Sequence, residues 1–192
     1  MNIGLIIVFI ILILVVIILF ILLVPFITNI IKKIKSEKID NNIGSSSKIR
    51  LINQLRESVE YLSKTKTGAI ITIEDKDNLD TLRTDGVKLD ANISSSLIIS
   101  IFNKHSPLHD GAIIIRNGKI HYASTYYKIT KKSIDNKYGS RHRAGLGISE
   151  VSDSTTIIVS EETGKVSIAK NSMLIPVEIN EFQEKLVFFL ND

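Results

Sequence analysis

The 192-residue chain contains no cysteine. That absence excludes a disulfide framework, a thiolate nucleophile and any zinc site built on cysteine sulfur. No charged residue occurs before Lys32, so the apolar run at the front of the chain has no basic segment ahead of it. A cleaved secretory leader needs a basic start, a shorter apolar core and a small-residue cleavage site, and the missing charge argues against that alternative. Small residues are scarce in the same stretch. Gly4 is the only one among its early positions, which leaves no GxxxG-type ridge for helix pairing. There is no internal repeat, so the chain builds one copy of whatever site it carries.

What is present begins with Leu5–Val24, twenty apolar residues without interruption. A helix rises about 1.5 Å per residue, so this run covers roughly 30 Å, the hydrocarbon thickness of a bilayer. The expectation is one transmembrane helix, with residues 1–31 forming the span and its flank. Lys32, Lys33, Lys35 and Lys38 follow, opposed only by Glu37. By the positive-inside rule the N-terminus lies outside and the bulk of the chain in the cytoplasm, a single-pass arrangement in the cell membrane. Anionic head groups would attract the same lysines. The net charge of +4 therefore reflects this patch and does not signal a nucleic-acid partner. Residues 32–47, polar and ending in Gly44-Ser45-Ser46-Ser47, read as a basic juxtamembrane linker.

Residues 48–192 are enough for one domain with its own core. Ile52, Leu55, Val59 and Leu62 recur at helical spacing, which predicts an amphipathic helix over 48–63. It packs on the domain or pairs with a partner helix. Residues 69–73 read as a β-branched strand, and 94–103 as a helix capped by serine. Strands are expected at 112–116 and 119–125, joined by the hairpin signal Asn117-Gly118. A helix over 141–150, strands at 155–160 and 165–169, and a closing helix at 181–190 complete the pattern. Mixed strands and helices make an α/β fold: one mixed-sheet domain flanked by helices.

Two segments carry chemistry. Pro107-Leu108-His109-Asp110-Gly111-Ala112 places a carboxylate beside an imidazole and a glycine. Asp110 and His109 can hold a metal or move a proton, and Gly111 lets a phosphate approach the backbone. Gly139-Ser140-Arg141-His142-Arg143 sets a hydroxyl and two guanidinium forks ahead of a helix, an arrangement that favours an anion. Each has a plainer reading, Asp110 as a turn aspartate and the arginines as a solvated loop. His105 and His121 lack such neighbourhoods and read as structural.

Taken with Thr67-Gly68-Ala69-Ile70-Ile71, Leu89-Asp90-Ala91, Gly147-Ile148-Ser149-Glu150 and Val159-Ser160-Glu161-Glu162-Thr163-Gly164, these segments make the chain resemble the diadenylate cyclase (DAC) family from about Gly68 to Ala169. In its single-span, membrane-anchored form the family condenses two ATP into cyclic di-AMP and two pyrophosphates, producing a second messenger at the membrane. The resemblance implies that Asp110 activates a ribose 3′-hydroxyl and that Gly111 and Ala112 line the phosphate wall. It implies that Ser140, Arg141, His142 and Arg143 handle the triphosphate, and that Ser160 contacts phosphate. His109, Asp110 and Glu161 become the expected ligands of Mg²⁺ or Mn²⁺, with Glu161 also placed near a phosphate-bound water. Tyr126 is expected against the adenine and the Tyr127 backbone at its edge. Here the chain has Ser140 where the family usually carries threonine, and Tyr127-Lys128 where leucine-proline is common. A two-fold product from one pocket per chain implies a homodimer, which need only be transient. The alternatives are a non-catalytic, membrane-tethered adenine-nucleotide sensor and an interaction protein without nucleotide chemistry. Intact Asp110, Arg141, His142 and Arg143 argue against the sensor, and the six matched segments against the interaction protein.

Overall fold

The computed structural model describes residues 4, 9, 11–15, 19–21, 23–25 and 45–191. It divides into two units, Met1–Asn41 and Asn42–Asp192. The described residues of the first unit are helical, and among the described residues no helix is long and apolar enough to cross a membrane. Much of the predicted span Leu5–Val24, and the predicted linker up to residue 44, lie outside the described residues.

The second unit opens with helix α1, Ser45–Lys64, which starts three residues ahead of the predicted point. Its predicted apolar face is the buried one, with Ile52, Leu55, Val59 and Leu62 all in the core. Eight strands follow: β1 Ala69–Ile73, β2 Arg83–Thr84, β3 Val87–Asn92, β4 Ala112–Arg116, β5 Lys119–Tyr127, β6 Thr155–Val159, β7 Val166–Lys170 and β8 Met173–Val177. Helices α2, Ser95–Phe102, α3, Ser140–Ser149, and α4, Phe182–Phe189, are interspersed. The expected serine cap is Ser94, whose hydroxyl accepts from the Leu97 amide at 3.1 Å. The Asn117-Gly118 turn has φ of +53° and +72°, the paired positive values that a tight hairpin demands.

The sheet runs β2-β5-β4-β1-β6-β7-β8, with β3 pairing β5. Only β1 and β4 run parallel; every other pair is antiparallel. Because side chains alternate along a strand, Ile71 and Ile113 join one core with α1, α2 and α4, while Ile70 and Ile114 join another beneath α3. Helices cover both faces, which explains why β1, β6 and β7 are buried at every position, including Ser167 and Lys170 of β7. The buried Lys170 amine donates to the Phe189 carbonyl at 2.8 Å and to the Thr155 hydroxyl at 3.2 Å, tying down the end of α4.

Three strands escaped the sequence reading. β2 is two residues long, too short to show a pattern. β3 is mostly exposed, yet its Val-Lys-Leu-Asp-Ala-Asn alternates apolar and polar residues strictly, a strand signal that the sequence reading passed over. β8 contains Pro176, which reads against a strand; it sits at the sheet edge, where a missing N–H is tolerated.

Candidate active site

The topology gathers the singled-out residues at one end of the sheet. β1 and β4 start there, and the antiparallel β5 and β6 finish there. Ala69 pairs with Val159 and Ala112 with Thr125, so Gly68, Ser160, Gly111 and Tyr126 lie close to that end. The parallel register Ile71↔Ile113, continued three residues back, brings Gly68 level with Asp110. Neighbouring strands are about 4.8 Å apart, so the two residues lie side by side.

Asp110 is exposed in the turn before β4. Its Oδ1 accepts the Gly111 N–H at 3.0 Å, and its Oδ2 accepts the Tyr126 hydroxyl at 3.2 Å. Gly111 has φ of +85°, and a Cβ built on it would lie 2.7 Å from the Thr125 carbonyl oxygen. The sequence reading gave this glycine to a phosphate. In the structure its α-carbon is pressed against β5 and its N–H is turned onto Asp110. Ala112 is buried behind it.

Tyr126 reaches Asp110 because β5 is irregular. Two residues of β4, from Ala112 to Ile114, span three of β5, from Thr125 to Tyr122, and Ser124 has φ of +54°. This is a β-bulge. Tyr122 and Tyr127 are five apart, yet both pack beneath α3, which an unbroken strand would forbid. The extra residue thus sends Tyr127 inward and turns Tyr126, 41% exposed, outward. Desolvation, then the charge and hydrogen bond of Asp110, hold the Tyr126 phenol above its usual pKa, so it remains a donor at neutral pH. The Tyr127 ring is buried and its residue pairs with Arg83 of β2.

A second cluster surrounds the start of α3. Gly139 caps that helix and Ser140 is exposed at its first position. The Arg141 guanidinium lies 2.7 Å from Glu161 Oε2 and rests on Gly68, where a Cβ would come within 2.8 Å of Arg141 Cζ. His142 points inward, 7% exposed, with its ring 5.0 Å from that of Tyr138. Burial lowers its pKa, opposed in part by Glu162, so the imidazole is neutral at pH 7. Arg143 is half-buried, and among the described residues its guanidinium has neither an ion pair nor a hydrogen bond. Ser160 closes the turn after β6, its hydroxyl accepting from the Thr163 amide at 3.3 Å.

The donor set suits a divalent cation at His109 and Asp110. His109 Nδ1 lies 2.7 Å from the Ser106 carbonyl, which can only accept. The ring proton therefore sits on Nδ1, leaving the Nε2 lone pair free, as in metal-ligating histidines. Among the described residues no three His, Asp or Glu side chains converge, and Glu161 is committed to Arg141. The expected trio of His109, Asp110 and Glu161 is not assembled as one cluster. The Tyr126–Asp110 and Arg141–Glu161 contacts had no signal in the sequence, being 16 and 20 positions apart.

Residues 56–174, more than half of the chain, match the family model DAC, DisA bacterial checkpoint controller nucleotide-binding. The chain is 37% identical over 168 residues to a diadenylate cyclase of Mycoplasma genitalium, covering 86% of this chain and 84% of that one. The crystal structure of a double mutant of DacA from Staphylococcus aureus superposes with a TM-score of 0.72 at 39% identity, over 76% of this chain and 98% of the other. A hypothetical membrane spanning protein from Bacillus cereus superposes with a TM-score of 0.64 at 38% identity, over 66% and 62%.

Proposed function

The chain belongs to the diadenylate cyclase family and makes cyclic di-AMP from ATP, and we propose that it does so with Asp110, Arg141 and Arg143 as the principal groups of one ATP pocket. The observation that carries this assignment is the gathering of these residues at one end of the sheet. There the exposed Asp110 carboxylate stands one strand from Gly68, on which the Arg141 guanidinium rests, and the uncommitted Arg143 follows in the same helix.

The reaction forms two phosphodiester bonds. The 3′-oxygen of each ATP attacks the α-phosphorus of the other, each hydroxyl proton leaves, and each attack expels pyrophosphate. Asp110 accepts the 3′-proton, directly or through water. Arg141 and Arg143 neutralise the triphosphate, assisted by the α3 N-terminus and Ser140. His142, neutral and buried, holds the start of α3 in place. Ser160 contacts phosphate, and the Tyr126 ring offers a face to adenine, a contact worth about 1–3 kcal/mol on a base. The Tyr127 backbone lies at the base edge. The family's enzymes depend on a divalent metal and use ATP. Mg²⁺ or Mn²⁺ would be held by His109 and Asp110, with Glu161 available once Arg141 turns to phosphate. The ion supplies charge neutralisation at the reacting phosphate.

One pocket holds one ATP, so two chains face each other about a two-fold axis, in a dimer that need only be transient. The Leu5–Val24 run and the lysines after it support a single N-out span with the catalytic unit in the cytoplasm, and one similar structure is that of a hypothetical membrane spanning protein. The test is to incubate the detergent-solubilised chain with ATP and Mn²⁺ and to chromatograph the products. Cyclic di-AMP and pyrophosphate are expected, and Asp110→Asn should abolish both while ATP still binds. Normal turnover by that variant removes Asp110 from the reaction.

A further inference from the structure

Asp110 stands at the surface, where an aspartate side chain samples several rotamers. A carboxylate that must meet one hydroxyl proton needs a single orientation. Its own turn supplies one hold, the Gly111 N–H on Oδ1, but that hold moves with Asp110. The other comes from a different element, the Tyr126 hydroxyl on Oδ2. We propose that Tyr126 is a positioning residue for Asp110, its phenol fixing the carboxylate for proton abstraction, a role separate from any stacking by its ring. The inference rests on the reading of Asp110 as the reacting carboxylate.

Two exposed side chains can meet without consequence, and what argues against that here is the backbone beneath Tyr126. Regular alternation would have turned Tyr126 to the side that Tyr122 occupies, beneath α3. The bulge prevents this at the cost of a positive φ at Ser124, a conformation that residues other than glycine seldom adopt. The same bulge brings the Thr125 backbone against Gly111, so one irregularity sets both the path of the Asp110 turn and the direction of the tyrosine. Each carboxylate oxygen retains a further lone pair. The hold therefore orients Asp110 without occupying it.

The experiment compares Tyr126→Phe, Tyr126→Ala and Asp110→Asn in the full chain in detergent. kcat is measured with ATP and Mn²⁺, and affinity with an α,β-methylene ATP analogue that cannot react. Phenylalanine keeps the ring and removes only the hydroxyl. Its kcat should fall about three- to tenfold, less than the roughly 10- to 150-fold of a hydrogen bond to a fully buried charged group, because this pair is solvated. Its affinity should stay within about twofold of wild type, whereas Tyr126→Ala should lose both. Full kcat in Tyr126→Phe, or a loss carried wholly by affinity, overturns the proposal while leaving Asp110 in place. Normal turnover by Asp110→Asn overturns the reading beneath it as well. Tyr126 lies outside the core, so an unchanged circular dichroism spectrum is expected for each Tyr126 variant. If the phenylalanine variant does unfold, Tyr126→His decides in its place: an imidazole that restores turnover above the alanine level supports a donor role, and one that does not refutes it.

Discussion

Gly111→Ala is the substitution for which the structure yields a worked magnitude. Alanine at φ of +85° occupies a region open mainly to glycine, at a cost of about 1–2 kcal/mol. Its methyl would also lie 2.7 Å from the Thr125 carbonyl oxygen and 3.0 Å from the Thr125 nitrogen and the Ser124 carbonyl carbon. These are backbone atoms of the β4–β5 ladder, where Thr125 pairs with Ala112, so they retreat only if the ladder opens. Overpacking of this kind costs about 1–3 kcal/mol. The sum is about 2–5 kcal/mol, and for a unit of this size each kcal/mol lowers Tm by about 2–4 °C. Thermal melts of the unit Asn42–Asp192, followed by far-ultraviolet circular dichroism, should therefore show a loss of roughly 5–20 °C. Turnover should collapse too, because the carboxylate moves with the turn. Gly118→Ala is the control: φ is +72° but a Cβ there meets nothing within 4 Å, so only the backbone cost remains. If Gly111→Ala melts no lower than Gly118→Ala, the contact with Thr125 is not a constraint and the reasoning fails.

Arg141→Ala and Arg143→Ala should each weaken ATP binding about 10- to 150-fold, the equivalent of 1.5–3 kcal/mol per charge-assisted contact; unchanged affinity in both, by calorimetry with the unreactive analogue, would return the loop to solvent. The lowered pKa of His142 means that the unfolded chain takes up its proton first as pH falls. Stability should therefore decline below about pH 6.5, the unperturbed value, and level off under the folded-state pKa. His142→Gln should flatten that part of a Tm-against-pH curve, and an identical slope would refute the assignment. Specific activity should rise with enzyme concentration if two pockets must meet. A constant rate per chain, down to concentrations at which the protein is monomeric by light scattering, would refute the face-to-face arrangement.

The amphipathic face of α1, the Ser94 cap and the Asn117-Gly118 hairpin were legible in the chain because each depends on residues within a few positions of one another. So were the two site segments, whose residue types state their chemistry wherever they fold. The β-branched runs of β1 and β6 advertised strands covered on both faces, while β7, Val-Ser-Ile-Ala-Lys, was placed by the turn at 161–164 before it. The edge strands were missed for different reasons: β2 is too short to show a pattern, the alternation in β3 was there to read and was passed over, and Pro176 argues against β8. What the tertiary structure alone decided are relations across the sheet. The extra residue of β5 between Tyr122 and Thr125, one of two irregularities in its pairing with β4, reverses the inward and outward sense of the positions after it, and no local pattern announces it. That bulge, and not the identity of the tyrosines, determines that Tyr127 is core and Tyr126 meets Asp110. The pairing of Arg141 with Glu161 over Gly68 likewise depends on β1, β6 and α3 converging at one end of the sheet. Such contacts arise from register and packing over long separations, where the energy lies in the assembled layers and no short segment encodes it.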